Sequence, residues 1–284
     1  MPSLKEIKGR IGSVKSTLKI TSAMKLVASA KLRKAQTAIE NMLPYERGLR
    51  SILAEVGDRG PLAEARAASG KVALVAFASN SSLCGGFNAN AIRETRARVK
   101  ELSAQGKQVT VFSVGRRIAD SMAKAGYPSP KDMTKLSAKP EYEGAKALAE
   151  SLRTGFESGE YEGVELIYNH FVTAATQQVT REQYLPMALG TATEEAREEM
   201  DQAIVEPSKE EVLEALVPKV LNLKIYTVLL DSAAAEHAAR TIAMQTATDN
   251  GDKVLQELTL EYNKGRQQKI TAEILDLVGG QQES

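Results

Sequence analysis

The chain has 284 residues, 43% of them hydrophobic and 26% charged, with aromatics at 5% and no tryptophan. That is enough for a sizeable core in one large domain or two ordinary ones, and it favours long helices over a β-rich body. A net charge of +1 excludes an overall field pressing the chain onto nucleic acid or anionic lipid, and a single cysteine, Cys84, excludes an internal disulfide and fits a reducing compartment.

Residues 1–56 are predicted as one helix. Its opening, "MPSLKEIKGR", lacks the apolar core of a signal peptide. Leu4, Ile7, Ile11, Val14 and Leu18 recur at alternating spacings of 3 and 4, a heptad seam. The seam is then expected to shift register and become small, through Met24, Val27, Ala28, Ala35 and Ala38. Pro44 is expected to kink or end the regular part. Such a helix would run roughly 80 Å, wider than a compact domain, so it must leave its own core or pair with another helix.

Gly57–Gly70 reads as a linker. Val72–Ala78 is a continuous apolar run, as in a strand buried on both faces. The loop "SSLCGGFN" follows, with Asn88 as the expected helix N-cap. Ile92, Thr95, Val99 and Leu102 mark a helix; Val109–Val114 a strand; Ile118, Met122 and Ala125 a helix stopped by Gly126 and Pro128. Ala145, Leu148, Leu152 and Phe156 mark another helix. Val164–His170 and "TQQVTREQYL" are strands. This order gives an α/β layer domain over 71–190 with an antiparallel edge.

Residues 208–284 return to helix. Ser208 and Glu211 have capping-box spacing, and Pro218 is expected to cause a kink or a fresh start. Val254, Leu258, Ile270, Ile274 and Leu277 form the expected apolar stripe, with Gly251 and Gly265 each costing roughly 1 kcal/mol against Ala. Roughly 90 Å of helix again exceeds what a small domain can cover. The fold class is therefore α/β: a long antiparallel coiled coil of N- and C-terminal helices plus a Rossmann-like α/β domain. Ile11 is expected near Ile270. No run of about 18 apolar residues occurs, so no membrane-spanning helix is expected.

Few constellations point to chemistry. "LCGGFN" lacks both the G-x-G-x-x-G spacing of a dinucleotide site and the Lys-Ser/Thr of a P-loop, so a tight turn explains its glycines. Nothing in the sequence places His170 or His237, the two histidines, beside Cys84 as a base, and two His with one Cys do not make an ordinary zinc site. The paired carboxylates of "TEEAREEMDQ" read as a solvated stretch. No catalytic, cofactor-binding or metal-binding residue is assigned.

The first 37 residues are more informative. Lys5, Lys8, Arg10, Lys15, Lys19, Lys25, Lys31, Arg33 and Lys34 face one acid, Glu6. Solvated faces normally mix signs, so this helix needs an acidic partner: nucleic acid, lipid headgroups or acidic protein loops. From charge alone, a coiled-coil nucleic-acid-binding protein using this helix is the alternative reading, although aromatic interleaving is missing. Near the C-terminus, Arg240, Gln245, Thr246, Thr248, Asp249, Asn250, Asn263, Arg266, Gln267, Gln268 and Thr271 ring a slim helix at many angles. A helix polar all round bridges solvent or passes through partners.

"KITSAMKLVASAKLRKAQ", "SLCGGFN" and "AMQTATDNGDKVLQELTLEYNKGRQQKITAEILDLVGG" resemble the signatures of the gamma subunit of F-type ATP synthases, of bacterial type, and the resemblance covers essentially the whole chain. It implies a non-catalytic rotor shaft without cofactors, its coiled coil inside a hexamer of alpha and beta subunits and its α/β domain beside the epsilon subunit and the membrane c-ring. It implies a peripheral position on the cytoplasmic face of the cell membrane and no nucleic-acid partner. Carried over by motif, Met24, Lys25, Arg240, Arg266, Gln267 and Thr271 are the expected partner-contacting residues. Two departures stand out. The family usually reads Asp-Arg-Gly where this chain has Asn80-Ser81-Ser82, and it commonly has Ala where Gly265 stands.

Overall fold

The structure is a computed structural model, and it describes residues 3–56, 69–187 and 208–280. In chain order the elements are α1 (Leu4–Val56), β1 (Lys71–Phe77), α2 (Phe87–Ala104), β2 (Gln108–Val114), α3 (Arg116–Lys124), α4 (Thr134–Ala138), α5 (Tyr142–Glu157), β3 (Gly163–Phe171), β4 (Gln177–Leu185) and α6 (Lys209–Gly280). They form two compact units, one of Met1–Ala28 with Thr241–Ser284, the other of Ser29–Arg240. The acidic stretch "TEEAREEMDQ" and most of the Gly57–Gly70 linker lie outside the described residues, as does the side chain of Leu277.

The larger unit is built on a sheet of order β2-β1-β3-β4, parallel except for β4, which runs antiparallel to β3 at the edge. The apolar run of β1 is buried on both faces, as its sequence requires. Val72, Leu74 and Ala76 meet Val99 and Leu102 of α2 and Ile118 and Met122 of α3. Ala73, Val75 and Phe77 face the opposite layer, with Leu152 and Phe156 of α5, Leu49 and Leu53 of α1, and Leu221 and Ile225 of α6. The one element the sequence reading lacks is α4, five residues none of which is buried, so no apolar period announces it.

Neither proline ends its helix: α1 continues through Pro44 and α6 through Pro218. A proline inside a helix loses a backbone hydrogen bond at a cost of about 3 kcal/mol. The flanking turns carry Leu49 and Leu53 in one case and Leu216, Val217 and Leu221 in the other, all in the core of this unit, and that packing offsets the loss.

The smaller unit is an antiparallel helix pair. Leu4 packs where Gly265 has no side chain and Leu18 where Gly251 has none. Between Thr21 and Thr248 the hydroxyls lie 2.9 Å apart, and Lys25 Nζ donates to Gln245 Oε1. This register puts Ile11 opposite the turn around Leu258. Ile270 lies about three turns further on, at an exposed position beyond the partner of Leu4, so the expected Ile11–Ile270 proximity is corrected.

The seam also differs from its expected course. On α1 the least exposed positions run Leu4, Ile7, Ile11, Val14, Leu18, Thr21, Lys25, Ala28 without a break in the alternation of 3 and 4. There is no register shift, since Val27 is 56% exposed and Ala28 only 2%. Hydrophobicity alone skips Thr21 and Lys25, which keep the period by hydrogen bonding across the pair. On α6 the seam is Met244, Thr248, Gly251, Leu255, Leu258, Tyr262 and Gly265, while Val254, Ile270 and Ile274 of the expected stripe are exposed. The glycines belong to the seam because a Cβ on Gly251 would come within 2.7 Å of Leu18 Cδ2, and one on Gly265 within 3.1 Å of Leu4 Cδ2.

Candidate functional site

The glycine loop leaves β1 at its carboxyl end, where open α/β sheets hold ligands. Its helix cap is not the expected one. Gly86 is the N-cap of α2, without a side-chain hydrogen bond, and Asn88 lies one step inside the helix, buried. The Asn88 amide is used within the loop instead. Its Oδ1 accepts from Ser79 N–H at 3.0 Å, and its Nδ2 donates to Ser81 O at 3.0 Å and Cys84 Sγ at 3.1 Å. Gly85, at φ +56, provides the left-handed residue that the reversal needs.

The crevice beyond the loop is filled by α6. Cys84 and Phe87 pack on Ala235 and Ala239, one helical turn apart, with Phe171 alongside. Around Phe77, Ala78, Val114 and Leu229 a void of only about 10 Å³ is left, room for about one water molecule. Burial pushes the Cys84 thiol above its ordinary value, which disfavours the thiolate needed for attack. The histidines have other surroundings. His170 Nδ1 faces Asp231 Oδ2 at 2.6 Å, and the same carboxylate accepts from Phe171 N–H at 2.8 Å, pinning β3 to α6. Burial first, then the charges of Arg240 and Lys31, lower the pKa of His237 to about 4, so it is neutral near pH 7.

Arg240 does not point outward. At 8% exposure it pairs with Glu236 and donates to Ser81 Oγ at 2.9 Å and Ser82 O at 3.4 Å. The departure at Asn80-Ser81-Ser82 is thus part of an internal contact: Ser81 and Ser82 accept from Arg240, and Asn80 Oδ1 accepts from Arg116 N–H at 2.8 Å. Glu236 escaped the sequence reading, although its spacing of four from Arg240 is an ion-pair signal.

The other candidates lie on the helix pair. Met24 and Lys25 are half-buried, with Lys25 joined through Gln245 to Asp249, whose Oδ1 accepts from Gln245 Nε2 at 2.6 Å. Thr21, the partner of Thr248, was passed over because a threonine breaks an apolar seam on paper. Arg266, Gln267 and Thr271 are exposed, with Thr271 Oγ1 donating to Gln267 O at 3.0 Å. Gln267 and Thr271 share a helix face. About thirty ångströms of helix separate Gln245 from Arg266, so these residues form two groups rather than one site.

A family model described as ATP synthase matches residues 3–282. A chain from Phocaeicola vulgatus named ATP synthase gamma chain is 52% identical, with 99% of both chains covered. The chain belongs to the ATP synthase gamma chain family. The gamma chain of Bacteroides thetaiotaomicron is 48% identical over 99% of each chain, and that of Flavobacterium johnsoniae 43% identical over 99% of this chain and 98% of its own. Among solved structures, a chain from the central stalk and c-ring of the Tetrahymena thermophila mitochondrial ATP synthase is 25% identical with a TM-score of 0.57, covering 80% of this chain and 99% of that one. A chain of the Euglena gracilis mitochondrial enzyme reaches a TM-score of 0.64 at 18% identity, covering 99% and 94%, and shares the fold. These gamma-chain relatives lend no support to the nucleic-acid alternative.

Proposed function

We propose that this chain is the central rotor shaft of an F-type ATP synthase, transmitting torque between a proton-driven membrane c-ring and a catalytic hexamer of alpha and beta subunits. Its partners in this reading are the alpha, beta and epsilon subunits and the c-ring. The single observation that carries it is the outer surface of the helix pair. Leu26 is 69% and Leu260 70% exposed, with Ile20, Val27, Ile242, Val254 and Ile270 also outward. A helix pair standing alone in water keeps its outer positions polar; large apolar side chains there need a protein sheath.

The chain itself makes and breaks no covalent bond in this scheme. Met24, Lys25, Arg266, Gln267 and Thr271 contact hexamer loops and bias which catalytic conformation is favoured at each angle, by charge and shape. Residues 1–56 and 208–284 provide the shaft helices and 71–190 the α/β body. Among the described residues no helix is long and apolar enough to cross a membrane. In this reading the chain is peripheral to the cytoplasmic face of the cell membrane and is held there by the ring.

The test is assembly from purified subunits with the ring in vesicles. ATP-driven proton pumping that requires this chain, and that weakens in Arg266→Ala/Gln267→Ala, supports the reading. Pumping that proceeds equally without the chain overturns it. Tight DNA binding with a steep salt slope would favour the nucleic-acid alternative.

A further inference from the structure

We propose that the groove between α4 and α5 is a binding site for a small amphipathic anion, a single alkyl chain ending in a carboxylate. The site does not depend on the rotor-shaft reading, since every residue lining it belongs to the sheet unit. The groove has a volume of about 550 Å³, within the roughly 300–1,000 Å³ of small-molecule sites. Its floor is apolar, with Met133, Leu136 and Ala138 on one side and Gly144, Ala147 and Leu148 of α5 on the other.

The walls are preformed. None of the five residues of α4 is fully buried, so burial alone does not hold it in place. Polar ties do. Asn80 Nδ2 donates to Thr134 O at 2.7 Å, Ser137 Oγ donates to Ala78 O at 2.8 Å, and Asp132 Oδ1 accepts from Thr134 N–H at 2.9 Å. Leu136 rests on Gly144, where a Cβ would come within 2.7 Å of its Cδ1. A wall fixed in this way loses little freedom when a ligand arrives.

The rim carries Lys131, Lys135 and Lys139 against Asp132 and Glu141. Both acids are engaged: Glu141 pairs with Lys139, and Asp132 caps Thr134. Lys131 and Lys135 are exposed and form no ion pair among the described residues. Two such ammonium groups beside an apolar floor complement a negative head on an alkyl tail. None of the lining residues is aromatic or an arginine, so a nucleotide base has nothing to stack on and a phosphate has no bidentate grip. A protein partner would need roughly 800 Å² on each side, whereas α4 offers only about 7.5 Å of helix.

Calorimetric titration of the full-length chain with decanoate tests the site. Saturable binding at one site is expected, weakening about fourfold for each methylene removed from the alkyl chain. Lys131→Gln/Lys135→Gln should weaken decanoate about tenfold, the loss of a charge-assisted bond, and leave uncharged decanol unchanged. Ala147→Trp, at an exposed position of α5, should abolish both by filling the groove. No saturable binding, equal affinity for decyltrimethylammonium, or an unchanged decanoate affinity in the lysine variant overturns the site. So does binding that is present on the free chain and absent from the assembled complex, which would make the groove an interface with another subunit. Because each titration reads the ligand and not proton pumping, failure here leaves the shaft reading standing.

Discussion

In the unit of Ser29–Arg240, large side chains such as Phe77, Leu152, Ile167 and Ile225 are fully buried in two layers on either side of a sheet. In the unit formed by the two chain ends, the buried described residues are Ile7, Thr21, Ala28 and Met244. The first can hold itself together by burial, at roughly 25 cal/mol per Å² of apolar surface. The second is held by a half-covered seam, two leucines set against glycines and a short polar layer. It is stable as a unit of something larger, and its outward leucines say the same.

That contrast orders the expected effects of substitution. Leu152→Ala, in the sheet unit, should cost about 2–5 kcal/mol in chemical denaturation, whereas Leu258→Ala in the half-covered seam should cost under about 1 kcal/mol. Equal costs would erase the distinction between the units.

The next effect depends on pH. The folded state holds the His237 pKa at about 4, below the unfolded value near 6.5. The unfolded chain therefore takes up the proton first, and its stabilising contribution, complete above about pH 6.5, is lost as pH falls toward 4. His237→Gln should flatten the fall in melting temperature across that window. A fall of unchanged slope would show that the titration belongs elsewhere.

The smallest effect separates two glycines of the helix pair. Gly12 has nothing within 4 Å of its missing Cβ, so Gly12→Ala should stabilise by about 0.5–1 kcal/mol. Gly251→Ala should gain less, because Leu18 must move aside. A larger gain at Gly251 than at Gly12 would remove the glycine notch from the seam.

Most of the sheet unit was legible in the sequence because its strands are uninterrupted apolar runs and its helices carry apolar residues at regular spacing; Ala145, Leu148, Leu152 and Phe156 of α5 are all buried as expected. The helix pair was legible in kind but not in register. Its seam is carried in part by Thr21, Lys25, Thr248, Gly251 and Gly265, residue types that hydropathy scores as outward or as breaks. The N-cap at Gly86 rather than Asn88, and the internal partners of Arg240, escape the sequence for a related reason. A sequence shows that a polar group must be satisfied, but which neighbour satisfies it depends on contacts between elements far apart in the chain.

The most direct test links the two ends. On a Cys84→Ser background, Thr21→Cys and Thr248→Cys stand where the hydroxyls lie 2.9 Å apart, within reach of a disulfide after small side-chain rotations. The expected result is efficient cross-linking under mild oxidation, none for Ile11→Cys with Ile270→Cys, and proton pumping retained in the linked complex, since a shaft turns as one body. Failure to link at 21 and 248, or pumping abolished by oxidation and restored by reductant, would contradict a paired shaft that rotates as a unit.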